Sequence, residues 1–238
     1  MTSQQAPLIG DDARAYVERD YDALGSDDLP GQLWERTKAL KVLARECDSF
    51  ARLLSGLAAW ALAVAGGALV ALAVWNDVNG VLRVVGVVVG VPLVAAAAVL
   101  GRRVWQAGRV VVDAFCWWTL LPEKLAGGGA GVEDWRSSPV RDAVAARVFV
   151  FQGWRPLRIG LGAVAFLSPA IFFALAVEGG PRYRPTWHEG QTAALWVIGL
   201  TLVVAGFAAG VVLMGGQWRA NLAHSQRDPV QRKIFGQR

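Results

Sequence analysis

The chain is poor in the side chains on which most enzymes and cofactor-binding proteins depend. Its 238 residues include two cysteines and two histidines, and 18% of them are charged, against about 25% in a typical soluble domain. Two cysteines cannot form the dense disulfide framework of a small secreted scaffold. A chain with 54% apolar residues is also too hydrophobic to be disordered. The composition therefore indicates a membrane protein.

Four segments carry no charged residue and are long enough to cross a bilayer. They cover residues 53–75, 84–101, 159–177 and 193–216. A helix of 23 residues, the length of the first segment, rises roughly 35 Å, and the hydrocarbon layer is about 30 Å thick. Buried helices of a large soluble protein are the alternative, which four such segments in one short chain disfavour.

The distribution of positive charge predicts the orientation of these spans. Nineteen Lys and Arg residues fall in the segments 31–52, 102–158 and 217–238, and three fall in the short turns between spans. Lys and Arg accumulate on the cytoplasmic side of membrane proteins. We therefore expect both termini and the middle segment in the cytoplasm. The Ala, Val and Arg bias is compatible with a high-GC bacterial genome, so the expected location is a bacterial cell (inner) membrane.

Short gaps between the first and second spans, and between the third and fourth, predict two parallel helical hairpins. Amphipathic patterns flank them, so the predicted fold class is all-α: a polytopic membrane protein with four transmembrane helices and cytoplasmic amphipathic helical extensions. The predicted divisions are an acidic arm (1–30), a helix–span–span–helix unit (31–122), a Gly-rich linker (123–138), a second such unit (139–228) and a basic tail (229–238).

The helices that flank the first hairpin carry apolar stripes, and we expect them to pack antiparallel as a stalk. The first is expected to run unbroken into its span, and the second to stop at Pro122, because proline disfavours a helix interior. By helical rise, Cys47 and Cys116 stand at different heights, too far apart for a disulfide. The expected stalk contacts are Trp34, Leu40, Leu43, Phe50, Val111, Phe115, Trp117 and Trp118. Trp34, Trp117 and Trp118 are predicted to cluster at its tip.

Small residues and prolines are the distinctive features inside the spans. The pairs Gly86/Gly90 and Gly206/Gly210 have the spacing that lets helix backbones approach closely. Pro92 and Pro169 interrupt the second and third spans and predict kinks, which are either hinges or purely structural.

Charged groups outside the spans offer three further features. Arg83 lies beside the second span and either reaches to the interface or lines an outer pore mouth. The acidic arm is either a solvated tail or docks on basic groups. The outer loop contains five residues that form either a recognition site or an ordinary interfacial turn. A recognition site there would bind a partner or a lipid headgroup. The five residues are Arg182, Tyr183, Arg184, Trp187 and His188.

No catalytic, cofactor or metal site is predicted, since the spans contain no Asp, Glu, His or Lys and such groups normally carry proton and ion relays. The basic excess follows membrane topology, so nucleic acid is not an expected partner. We expect the lipid bilayer, and either further copies of the chain or the other subunits of a complex.

The sequence predicts a non-catalytic membrane-anchoring or scaffolding subunit that docks an assembly through its cytoplasmic helices. A self-associating pore or channel (effector or holin-like) is the alternative, and a small transporter is less favoured. The plan of a hairpin flanked by cytoplasmic helices is similar to that of small membrane effector domains of bacterial defence systems, at the level of architecture only.

Overall fold

The computed structural model describes residues 8–18, 29–75, 79–124, 153–178 and 189–225. Every element within these ranges is an α-helix, and none is a strand, so the all-helical class is confirmed. The helices are α1 (Asp11–Val17), α2 (Leu29–Cys47), α3 (Phe50–Val74), α4 (Gly80–Lys124), α5 (Arg155–Glu178) and α6 (Glu189–Ser225). Four of the described helices are long and apolar enough to cross a membrane, which supports a multi-pass membrane protein.

Two helix boundaries differ from the sequence-based expectation. The helix before the first span does not run unbroken into it, because α2 ends at Cys47 and α3 begins at Phe50. The helix after the second span does not stop at Pro122, because α4 continues to Lys124 over 45 residues.

The chain divides into two compact units. The span unit comprises Ala51–Val104 and Arg158–Met214. The other unit, called here the extension unit, comprises Met1–Phe50, Trp105–Leu157 and Gly215–Arg238.

The extension unit has its own apolar core, formed by α1, α2, the last part of α4 and the end of α6. Leu43 of α2, and Val111 and Trp118 of α4, are completely buried in this core. Ile9 and Ala13 of the acidic arm are also buried there, so residues 8–18 do not form a solvated tail. This segment packs on the core because Ala13, Tyr16 and Val17 share the side of α1 away from Asp11.

In the span unit, close backbone approaches join the helices in pairs. A Cβ atom added at Gly90 of α4 would lie 2.8 Å from the carbonyl oxygen of Gly66 in α3. One added at Gly206 of α6 would meet the carbonyl oxygen of Ala165 in α5. Glycine is required at such positions because any side chain would push the two backbones apart.

Candidate functional site

The extension unit brings together most of the residues predicted for the stalk. Leu43, Val111, Phe115 and Trp118 are buried in its core, and Leu40 and Trp117 pack against that core while partly exposed. The other two predicted residues belong to the same unit but lie outside its core. Trp34 is 65% exposed and Phe50 is 54% exposed.

Trp117 and Trp118 meet edge to face, with ring centroids 5.2 Å apart. Tyr16 of α1 also contacts Trp118 edge to face, with ring centroids 6.0 Å apart. The Trp118 indole N–H donates to the Tyr16 carbonyl over 3.4 Å. Trp34 is outside this contact set, and its ring instead lies 3.7 Å from the ammonium group of Lys38.

Arg36 explains why α4 continues past Pro122. A helical carbonyl normally accepts from the N–H four residues later, and proline has none, so Pro122 leaves the Trp118 carbonyl without its usual donor. The Arg36 Nε donates to that carbonyl over 2.9 Å, and its Nη2 donates to the Thr119 carbonyl over 3.2 Å. Arg36 is 4% exposed, so these bonds form away from water and join α2 to α4.

A second buried arginine lies at the break between α2 and α3. Arg155, the first residue of α5, donates to the Asp48 carboxylate over 2.8 Å and to the Ala44 carbonyl over 3.4 Å. The side chain of Arg155 is 1% exposed and that of Asp48 is 16% exposed. The Ala44 carbonyl also accepts from the Asp48 backbone N–H over 3.3 Å, so Arg155 adds a second donor to it, and the positive charge complements the helix dipole at the carboxyl end of α2. These bonds lie at the point where α2 ends at Cys47.

Gly153 precedes Arg155 and lies against Asp48. Its φ of +58° is in the left-handed region, which favours glycine. A Cβ atom there would also lie 2.9 Å from a carboxylate oxygen of Asp48. The backbone angle therefore favours glycine two residues before Arg155, and an added Cβ atom would require the Asp48 carboxylate to shift.

A more exposed polar cluster connects α4 with α6. Asp113 pairs with Arg219 at 2.5 Å and with Arg109 at 3.8 Å. The Cys116 thiol donates to the Arg219 carbonyl over 3.7 Å. Burial raises the pKa of Cys116 above its ordinary value, while the charge of Arg219 lowers it and that of Asp113 raises it. Cys116 and Cys47 are both free thiols.

The predicted packing glycines all lie at close approaches within the chain. A Cβ atom at Gly86 would lie 2.5 Å from the Leu69 carbonyl oxygen, and Gly90 approaches Gly66 as described above. Gly206 approaches Ala165, and Gly210 lies against the ring of Phe166, 3.2 Å from its added Cβ.

The two predicted kink prolines have different surroundings. Pro169 leaves the Ala165 carbonyl without its helical donor, and the Ser168 hydroxyl donates to that carbonyl over 2.7 Å. The same carbonyl faces Gly206, so the proline lies at a packed contact between α5 and α6. Pro92 lies inside α4 and is exposed.

Arg83 donates to the Trp75 carbonyl at the end of α3 over 3.4 Å. It also lines a shallow cleft of about 330 Å³ with Ala73, Val84, Val87 and Val88. The predicted outer recognition set lies outside the described residues, as do the Gly-rich linker after Lys124 and the basic tail. That set is Arg182, Tyr183, Arg184, Trp187 and His188.

Comparison with known proteins adds no assignment to this geometry. No family model, curated protein or solved structure matches the chain. Within the part of the chain that the structure describes, no group of three or more His, Cys, Asp or Glu residues could hold a metal ion. The arrangement that remains as the candidate site is the helical surface of the extension unit.

Sequence reasoning did not single out Arg36, Asp48 and Arg155, which hold this surface together. The sequence did contain an indication for Arg36. A proline near the end of a long amphipathic helix leaves one carbonyl without its helical N–H donor, so a side chain from another helix can be expected to donate to it. For Asp48 and Arg155 the sequence offers no such indication, because the pair joins positions 107 residues apart.

Proposed function

We propose that this chain is a non-catalytic integral membrane protein that anchors or scaffolds an assembly, which docks on its cytoplasmic helices. The observation that carries the proposal is the extension unit. It is a packed helical body with a buried core, whereas the connections of a purely membrane-embedded protein need only be loops. A core of its own gives the unit a fixed outer surface on which a partner can dock.

The proposed arrangement is two parallel helical hairpins in a bacterial cell membrane, with the extension unit and both termini in the cytoplasm. The contacts of Gly66 with Gly90 and of Leu69 with Gly86 support an antiparallel α3/α4 pair. The contacts of Gly206 and Gly210 with α5 support the second pair. The excess of Lys and Arg in the segments flanking the spans supports the orientation.

The buried polar groups of the extension unit support a structural rather than a chemical role. Arg36 and Arg155 donate to backbone carbonyls and to Asp48, and the Trp118 indole donates to a carbonyl. The exposed part of α4 in this unit carries large apolar side chains, with Trp105 39% and Val110 41% exposed. Exposed aromatic and aliphatic groups among charged ones are typical of docking surfaces.

The pore alternative has weaker support. The glycines that would join copies through their spans lie against neighbouring helices of the same chain. The hydroxyl groups of Ser168 and Thr201, which would have to line a polar path, donate to carbonyls of their own helices.

Purification of the full chain in mild detergent, with a measurement of mass and composition, tests the proposal. We expect soluble proteins to co-purify in a fixed ratio, and reconstituted liposomes to retain a trapped dye. Arg36→Met should abolish co-purification while membrane insertion stays normal, because it removes the bonds between α2 and α4 in the extension unit.

Arg14→Met is the matched control, because it removes an exposed arginine that belongs to α1 of the same unit and not to the exposed apolar part of α4, so it should retain the partners. A stable ring of this chain alone, with dye leakage, would overturn the scaffold proposal in favour of the pore.

A further inference from the structure

The outer face of α2 carries a line of basic residues. Trp34, Lys38, Lys41 and Arg45 follow one another at steps of four, three and four, and all are exposed. Residues at this spacing share one side of a helix. Lys41 and Arg45 make no ion pair with any residue that the structure describes. We call these four residues the basic stripe.

The stripe lies on the side of α2 opposite its packed side. Ala39, Leu43 and Cys47 recur at steps of four and are buried in the core of the extension unit. Helical geometry places this buried line roughly half a turn from the stripe. The stripe therefore faces away from the core that α2 shares with α1.

A complementary face exists on α1. Asp11 and Glu18 are seven residues apart, so they lie on the same side of the helix, and both are exposed. Ala13, on the opposite side, is 1% exposed and lies in the core. Asp11 pairs with Arg14 at 3.5 Å, and Asp12 adds a further exposed carboxylate. We call Asp11, Asp12 and Glu18 the acidic face.

The two faces match in charge and in length but are not paired with each other among the residues that the structure describes. Lys38 and Arg45 are also seven residues apart, so both faces extend roughly 10 Å along their helices. Within the part of the chain that the structure describes, no ion pair joins Lys41 or Arg45 to the carboxylates of the acidic face, and Asp11 pairs with Arg14 instead. A residue set that complements the stripe is thus present on every other copy of the chain.

We propose that the acidic face of α1 in one copy docks on the basic stripe of α2 in a second copy. Because two different faces meet in such a contact, one copy still has its basic stripe available and the other still has its acidic face. Further copies can therefore add at both ends, which gives a ring or a row. Trp34 adds apolar area to the stripe, and exposed tryptophans are frequent anchors of interfaces. Exposed ion pairs are individually weak, but confinement of the copies to one bilayer raises their effective concentration.

The test needs the protein alone, so it is independent of the proposed cytosolic partner. Donor and acceptor fluorescent fusions of the full chain are reconstituted together in liposomes, and energy transfer is followed as lipid dilutes the protein. The wild type should associate, and raising the salt concentration should weaken the association because surface charges are screened. Lys41→Glu and Glu18→Lys should each weaken it about fivefold.

The decisive sample mixes the two variants. A Glu18→Lys donor with a Lys41→Glu acceptor restores one pair of opposite charges, so association should return toward the wild-type level. Arg109→Glu, the same charge change at an exposed position of α4, should leave association unchanged. Cys47 is buried in the core that holds α1, and its slow alkylation in Glu18→Lys would show that α1 remains docked.

Three results would overturn the contact: wild-type energy transfer no greater than that of diluted protein, equal losses in Lys41→Glu and Arg109→Glu, or no recovery in the mixture. If the basic stripe bound lipid headgroups instead of a second copy, association would not recover in the mixture. Lipid carries no group that changes with the Glu18→Lys substitution.

Discussion

At the scale of single residues, Arg155 and Asp48 show how burial determines the contribution of an ion pair. Removing one partner of a buried pair leaves a charge with neither water nor a counterion, which costs about 3–5 kcal/mol. Asp48 keeps 16% of its side chain exposed, so we expect Arg155→Ala to destabilise the extension unit by about 3 kcal/mol. Thermal unfolding in detergent, followed by circular dichroism, measures the change.

Arg109 offers the matched comparison. Its pair with Asp113 spans 3.8 Å between side chains that are 65% and 46% exposed, and exposed pairs contribute about 0–1 kcal/mol. Arg109→Ala should therefore leave the unfolding temperature nearly unchanged. Equal losses in both variants would mean that the Asp48–Arg155 pair does not hold α5 to the end of α2.

Cys116 gives a second prediction for a single residue. Burial raises the pKa of its thiol, with Arg219 opposing the shift and Asp113 adding to it. The thiolate is the reactive form, so a raised pKa lowers the reactive fraction near neutral pH. We expect maleimide labelling of Cys116 at pH 7.5 to be slower in folded than in denatured protein, and to accelerate as the pH rises. Mass spectrometry of each cysteine measures both rates, and equal rates would contradict the burial of this thiol.

At the scale of elements, the contact between α3 and α4 depends on glycine at defined positions. A Cβ atom at Gly86 would lie 2.5 Å from the Leu69 carbonyl oxygen, which belongs to backbone and cannot rotate away. We expect Gly86→Ala to cost about 1–3 kcal/mol, the usual range for an overpacked contact. Thermal denaturation of the protein in detergent is the measurement.

Gly101, on the same helix, has nothing within 4 Å of an added Cβ atom. Glycine inside a helix is about 0.5–1 kcal/mol less stable than alanine, so Gly101→Ala should leave stability unchanged or raise it. The two variants are expected to shift stability in opposite directions. A similar response to both would indicate that helix propensity, not the contact between α3 and α4, governs the effect.

The ends of the elements were harder to predict than their existence. The four apolar helices could be predicted because hydropathy sums over a whole segment. The continuation of α4 past Pro122 could not, because it depends on Arg36, 82 residues away in sequence from Trp118. The break at Asp48 and Ser49 similarly accompanies bonds from Arg155. Rules based on local sequence do not include hydrogen-bond donors from residues that are distant in sequence, such as Arg36 and Arg155.

The candidate site was predictable to a similar degree. Apolar periodicity identified Leu43, Val111 and Trp118 as core residues because a buried helical face repeats every three or four residues. The predicted cluster of Trp34 with Trp117 and Trp118 did not take account of the side of α2 on which Trp34 lies. That side is opposite the buried line of Ala39 and Leu43, and the Trp34 ring contacts Lys38. Apolar periodicity also missed the docking of α1, since a helix of seven residues is too short to show a clear period among its acidic residues.

At the scale of the whole molecule, the proposed topology assigns the two ends of α4 to opposite sides of the membrane. Val81 is 72% exposed near one end, and Val110 is 41% exposed in the extension unit. Valine to cysteine at each position, in a chain with Cys47 and Cys116 replaced by alanine, gives two variants with the same substitution on one helix. A membrane-impermeant maleimide added to spheroplasts should label Val81→Cys and spare Val110→Cys.

Permeabilised cells supply the control, because Val110→Cys should then be labelled as well and its protection in spheroplasts can be attributed to the membrane. The expected labelling rests on the positive residues, most of which flank the spans on the side of Val110. Labelling of Val110→Cys from outside, with protection of Val81→Cys, would invert the topology. The surface of the extension unit would then face away from the cytoplasm, and a cytosolic assembly could not dock there.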